Sequence, residues 1–201
     1  MVRNDFGHWR GDYFELNAPE SLLTDNALLM LSAMNKGARM ERTPDGRLVC
    51  MPPVSPLLSN LNAKLSARLS QWDEAAGLGL AFASCVGFHL PNRAVRSPDL
   101  SWLRQDRWDA LTKKERERYA PLCPDFVGEI AGPLLSLTEL QEKMCEYMDN
   151  GAQLGWLIDP KSRRIEIYRT GQDVEVLDSP ASVSGEDVLP GFTLDLSGIL
   201  P

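Results

Sequence analysis

Pro124-Asp125-Phe126-Val127-Gly128-Glu129-Ile130 reads as a largely apolar strand that ends at Gly132-Pro133. Ser136 and Glu139 then form the S-x-x-E capping-box pattern, which starts a helix over 137–149. Leu137, Leu140, Met144, Tyr147 and Met148 share one face of that helix, and Asn150-Gly151 stops it. Leu154-Gly155-Trp156-Leu157-Ile158-Asp159 follows as a buried strand. A right-handed crossover through the helix makes the two strands parallel. Antiparallel strands are expected on either side of this unit, so the chain is read as α/β, a mixed β-sheet flanked by helices.

Outward from this unit, Thr24-Asp25 offers an N-cap for a helix over 25–36 with Gly37 as its stop. Asp45-Gly46 is a turn between strands at 40–42 and 47–51. Leu58, Leu61, Leu65, Leu69 and Trp72 form one stripe of a helix over 58–75, which Gly77-Leu78-Gly79 breaks. Strands are expected at 80–90 and 98–103, a polar helix at 105–118, and further strands at 164–169 and 174–177. The tail from 188 to 200 is turn-rich. Residues 1–24 read as an irregular, loosely packed arm, and residues 25–201 as one domain.

Composition narrows the class. The 201 residues are 43% hydrophobic and 24% charged, a globular balance. No apolar run approaches the roughly 18–20 residues that span a bilayer, and the N-terminus has no apolar core of a signal peptide. Cys50, Cys85, Cys123 and Cys145 are scattered with no C-x-x-C pair, which argues against zinc or a disulfide scaffold. Reduced, mostly buried thiols in a cytoplasmic protein are expected. The net charge of −7 counts against a broad basic surface for nucleic acid but leaves room for a local groove. No phosphate-binding glycine loop is present, so no nucleotide cofactor is expected. The two histidines, His8 and His89, have no nucleophile elbow beside them.

Two Pro-Asp pairs, Pro98-Asp99 and Pro124-Asp125, each open a strand. An Asp after Pro is more often a turn or strand-start residue than a ligand. Asp99 and Glu129 on neighbouring strands nevertheless form a pair of the kind that Mg²⁺ or Mn²⁺ takes, together with water and phosphate oxygens. Asp125 shares a strand face with Glu129 and stays open as a third ligand. Lys143 lies on the flank of the 137–149 helix, where it either snorkels into solvent or folds back toward the carboxylates.

Taken together, several blocks make the chain resemble the Uma2 family of restriction-endonuclease-like proteins. They include Met40-Glu41-Arg42-Thr43-Pro44-Asp45-Gly46, Met51-Pro52-Pro53, Gly87-Phe88-His89-Leu90-Pro91-Asn92 and Arg96-Ser97-Pro98-Asp99. They continue with Cys123-Pro124-Asp125-Phe126-Val127-Gly128-Glu129, Lys143-Met144-Cys145-Glu146-Tyr147, Asn150-Gly151-Ala152, Gly155-Trp156-Leu157-Ile158-Asp159-Pro160 and Leu189-Pro190-Gly191-Phe192. The resemblance runs from about residue 35 onward. It implies a PD-(D/E)XK nuclease fold, a metal-dependent endonuclease acting on DNA, and a homodimer. Asp99 matches the family's Pro-Asp aspartate and Glu129 its strand glutamate. Lys143 matches a lysine moved onto the following helix, and Glu41 matches an acidic position expected in the site. Asp99, Glu129 and the backbone carbonyl of Ile130 are the implied ligands of Mg²⁺ (or Mn²⁺). The sequence departs from the pattern at Ala131, which cannot activate water as a motif lysine does, at Gly132 in place of a serine, and at Asn62 in place of a helix histidine. These departures leave open a second expectation, a catalytically impaired nuclease-fold module that binds DNA or a protein.

Overall fold

The computed structural model describes residues 7–10, 13–19, 21 and 23–200. Strands β1 (Gly7–Arg10) and β2 (Tyr13–Asn17) precede helix α1 (Asp25–Met34) and strands β3 (Arg39–Arg42) and β4 (Arg47–Met51). Helix α2 (Pro56–Ala76) leads to β5 (Gly79–Ala83), β6 (Phe88–His89), β7 (Val95–Arg96) and β8 (Leu100–Arg104). Short helices α3 (Gln105–Asp109) and α4 (Lys113–Arg116) come before β9 (Phe126–Ile130), α5 (Leu137–Asp149) and β10 (Leu154–Asp159). Strands β11 (Arg164–Arg169), β12 (Glu175–Asp178), β13 (Ser182–Ser184) and β14 (Thr193–Asp195) complete the order.

The central sheet runs β12-β11-β10-β9-β8-β5. β9 and β10 are parallel, as the crossover through α5 requires, and every other pairing in the sheet is antiparallel. Period-two alternation divides its side chains between two faces. Leu100, Trp102, Phe126, Trp156 and Ile158 pack with Leu61, Leu65 and Leu69 of α2 and with Phe192 and Leu194 near the C-terminus. On the opposite face, Val127 and Leu157 pack with Leu140, Met144 and Tyr147 of α5. A second sheet, β1-β2-β4-β3-β7-β6, lies beside this second layer.

Capping explains the helix ends. Ser136 accepts the Glu139 N–H while the Glu139 carboxylate accepts the Ser136 N–H, so α5 starts where its pattern predicts, and Asn150 caps its end. Ser55 caps α2, which starts two residues earlier than the apolar stripe suggests because Pro56 fits the first turn. Gly77 ends it in the left-handed region, at φ 63°.

Three expectations need correction. The irregular arm does not hold for 7–10 and 13–17, although residues 1–6, 11, 12, 20 and 22 of the arm lie outside the described residues. β2 pairs antiparallel with β4, and Tyr13 is buried against Val49 and Met51. Its alternation is hard to see because a glutamate, Glu15, takes an inward position and is neutralised there by Arg47 at 2.7 Å. The strand expected over 80–90 is two strands in different sheets. The chain turns at Cys85, whose φ is 77°, and β6 joins the second sheet. The polar helix over 105–118 is α3 and α4, because Thr112 and Glu115 close a capping box that starts a new helix.

None of the four cysteines is paired, and Cys85 and Cys145 are exposed rather than buried. Among the described residues no helix is long and apolar enough to cross a membrane.

Leu65 is 1% exposed at the centre of the α2 stripe. Leu65→Ala is expected to lower unfolding stability by about 2–5 kcal/mol. Urea denaturation followed by circular dichroism checks this through a lower midpoint at unchanged slope.

Candidate active site

β8 and β9 pair antiparallel with Leu100 opposite Gly128 and Ser101 opposite Val127. One further step of that register sets Asp99 opposite Glu129. Leu100 and Trp102 point toward α2, so Asp99 belongs to the other face, which Glu129 shares with Val127. Alternation and register thus bring two carboxylates together under α5. Like charges in opposed positions destabilise a sheet unless cations intervene.

The cations come from α5 and β3. Lys143 and Tyr147 are one helical turn apart and reach the same atom. Lys143 Nζ lies 2.9 Å from Glu129 Oε1, and the Tyr147 hydroxyl donates to it at 3.0 Å. Lys143 Nζ also donates to Glu41 Oε1 at 2.9 Å. Lys143, Glu41 and Glu129 are all buried, so the ammonium is folded inward rather than snorkelling. Glu41 is held further by the Ser97 N–H at 3.1 Å and by Arg96 at 3.2 Å, and Arg96 also grips Glu146 at 2.6 Å.

Asp99 has its own set of partners. Its Oδ2 accepts the N–H of Ile130, the residue after Glu129, at 3.0 Å. Its Oδ1 accepts from Arg39 Nη1 at 2.9 Å and, weakly, from Asn62 Nδ2 at 3.4 Å. Arg39 and Glu41 lie two apart on β3 and so point the same way, Arg39 to Asp99 and Glu41 to Lys143.

These contacts set the protonation balance. Burial works against the Glu41 charge, but Lys143, Arg96 and Arg39 outweigh it and draw the carboxyl down to about 2. Burial raises the Glu129 carboxyl above its ordinary range; Lys143 pulls it back, while Asp99 and Glu41 push it up. Burial, and then the negative charge of Glu129, keep the Tyr147 phenol protonated well past its ordinary range. Burial opposes the Arg39 charge, yet Asp99, Glu41 and Glu129 hold its pKa above the usual arginine value.

Two spaces flank the cluster. A cavity of about 20 Å³ is lined by Arg39, Leu58, Asp99, Glu129, Ile130 and Gly132, among others. A cleft of about 940 Å³ opens on the far side of Lys143 and Glu41. Its walls carry Glu15, Glu139, Glu142, Glu146 and Asp149 against Arg47 and Arg96. Leu135 borders both spaces.

The structure therefore brings Asp99, Glu129, Lys143 and Glu41 into one cluster and places Ile130 at its edge. Asp125 stands apart at the opposite end of β9. Its oxygens accept from the Arg104 N–H at 2.9 Å and Arg107 at 2.8 Å, so it ties the α3 loop to the sheet. Arg39, Tyr147 and Arg96 are site residues that the sequence analysis did not select. The spacing of Arg39 from Glu41 on one strand was the available signal. Tyr147 read as part of an apolar helix face, which conceals a hydroxyl aimed at a carboxylate.

Hard oxygen donors suit Mg²⁺, which commonly takes one or two carboxylates and keeps several waters. Asp99, Glu129 and the Ile130 carbonyl are donors of that kind, with Arg39 and Lys143 already paired to the two carboxylates. Among the described residues no three His, Cys, Asp or Glu side chains form a ready cluster, because Arg39 and Lys143 are interleaved with the acids.

The fold is restriction-endonuclease-like. It is similar to a crystal structure described as "a putative nuclease belonging to DUF820 from Anabaena variabilis ATCC 29413", with a TM-score of 0.68 and 20% identity over 80% of this chain and 89% of that one. The Uma2 model, described as "Putative restriction endonuclease", matches residues 25–197, and the chain belongs to that family. No curated protein matches it.

Glu41→Ala leaves Lys143 and Arg96 facing a lost partner and is expected to cost about 3–5 kcal/mol, as for one half of a buried ion pair. Because the folded pKa of Glu41 is depressed from 4.5 to about 2, its contribution is complete above pH 4.5 and is lost as pH falls toward 2. Urea melts of wild type and Glu41→Gln should differ most at neutral pH and converge on acidification.

Proposed function

We propose that the protein is a metal-dependent endonuclease that hydrolyses DNA phosphodiester bonds. The observation that carries this reading is the juxtaposition of Asp99 and Glu129 on one small cavity, with Asp99 bonded to the Ile130 N–H and Lys143 2.9 Å from Glu129. Asp99, Glu129 and the Ile130 carbonyl would hold Mg²⁺ or Mn²⁺. When bound, such an ion polarises a phosphate oxygen and acidifies a water.

The protein's own residues do the rest. Tyr147 and Lys143 hold Glu129 in one orientation, and the Ile130 N–H holds Asp99. Glu41 anchors Lys143, which has a third N–H to direct at the attacking water or at charge developing on the phosphate. Lys143 here takes the role that Ala131 cannot. The cavity beside Asp99 and Glu129 has room for about one water. A phosphodiester therefore requires Val54, Leu58 and Leu135 to move aside. A homodimer would supply one site for each strand of a duplex.

A second reading is a nuclease-fold module that binds DNA or a protein without turnover. The acidic walls of the large cleft and the ion pair between Arg39 and Asp99 favour it. The two readings differ in plasmid nicking by purified protein. With Mg²⁺ or Mn²⁺ the wild type is expected to nick, and Asp99→Ala and Glu129→Ala to lose at least about 100-fold in rate, the scale of removing one preorganised electrostatic group. Nicking that persists at the wild-type rate in both variants excludes the assignment. No nicking by the wild type, with DNA binding that weakens steeply with salt, favours the module.

A further inference from the structure

Among the described residues, Arg39 is the one cation that touches Asp99. Its Nη1 lies 2.9 Å from Asp99 Oδ1 and 3.4 Å from the Ser97 carbonyl, and its Nη2 lies 3.3 Å from Met51 Sδ. The guanidinium also lines the small cavity together with Asp99, Glu129 and Ile130. Four carboxylates (Glu41, Asp99, Glu129, Glu146) meet three cations (Arg39, Arg96, Lys143) in this cluster, so its charge is already nearly balanced. Lys143 and Arg96 are engaged with Glu41, Glu129 and Glu146. Among the described residues Arg39 alone balances Asp99, on the oxygen left after the Ile130 N–H has taken the other.

A divalent ion brought to Asp99 meets this positive charge at contact distance, and both compete for Oδ1. We propose that Arg39 is the resident counter-ion of the site: it holds Asp99 in the metal-free protein and must release Oδ1 before a divalent cation binds there. This rests on the reading of Asp99 as a metal ligand. It adds that metal affinity is set by an arginine outside the family's acidic and lysine positions. Arg39 is a positioning residue in this sense, acting through Asp99.

The test is calorimetric titration of Mn²⁺ into metal-stripped, DNA-free protein, which needs no turnover. Arg39→Gln keeps a hydrogen-bonding side chain without the charge and is expected to bind Mn²⁺ at least about tenfold more tightly than wild type, since a like charge at contact distance is removed. Arg39→Lys keeps the charge but loses the planar fork that joins Asp99 to Ser97 and Met51, and is expected to gain several-fold. If Arg39→Gln fails to fold, the lysine variant carries the test alone. Adding Asp99→Asn to either variant should remove the gain. Wild type that binds Mn²⁺ while both variants bind equally or less tightly overturns the proposal and leaves the metal site standing. A gain that survives Asp99→Asn also overturns it. Absence of Mn²⁺ binding in all the proteins overturns it together with the metal reading of Asp99.

Discussion

The Lys143 ammonium, held between Glu41 and Glu129 at 2.9 Å each, is the contact on which the arrangement of the site depends. The three members of this contact come from three places: Lys143 from α5 of the crossover, Glu129 from β9 of the central sheet and Glu41 from β3 of the second sheet. Burial of a single unpaired charge in this position would be costly. The charge is tolerable only with both carboxylates in place, so the second sheet must pack where Glu41 reaches α5. Such a network adds little net stability compared with apolar packing, but removing any one member leaves a buried charge uncompensated. What it supplies is geometry. Glu129 is oriented by two donors one turn apart on the same helix, and Lys143 is oriented by two acceptors from different sheets.

The two sheets place the acidic and basic groups by one rule, the alternation of side chains along a strand. Glu129 falls on the α5 face because Phe126 and Ile130 take the α2 face. Asp99 falls beside it because the β8–β9 register leaves no other residue opposite Glu129. Arg39 and Glu41 enter the cluster as a pair because they are two apart on β3. The same rule removes Asp125. Although it shares the Glu129 face, it lies four residues away, and its oxygens serve the loop after β8. The result separates a small cavity at Asp99 and Glu129 from a wide acidic cleft at Glu41, with Lys143 between them.

Local chemistry in the sequence determined a large part of this. The capping box at Ser136 and Glu139 set the start of α5, Asp45-Gly46 set the hairpin of β3 and β4, and the leucine stripe set α2. These are short-range signals, complete within a few residues. The strand–helix–strand unit and the parallel pairing of β9 and β10 followed from them. Asp99, Glu129, Lys143 and Glu41 stood out by residue type, spacing and resemblance, and the structure collects them in one cluster. Where the sequence misled, the missing information was long-range. Residues 80–90 look like one strand, but they belong to two sheets. Glu15 interrupts the apolar alternation of β2, and its pairing with Arg47 comes from another strand. Tyr147 looks apolar until a carboxylate faces its hydroxyl. Only the tertiary structure decided that Arg39 rather than solvent meets Asp99, because an ion pair between residues 60 positions apart depends on how two sheets pack, and no local pattern encodes it.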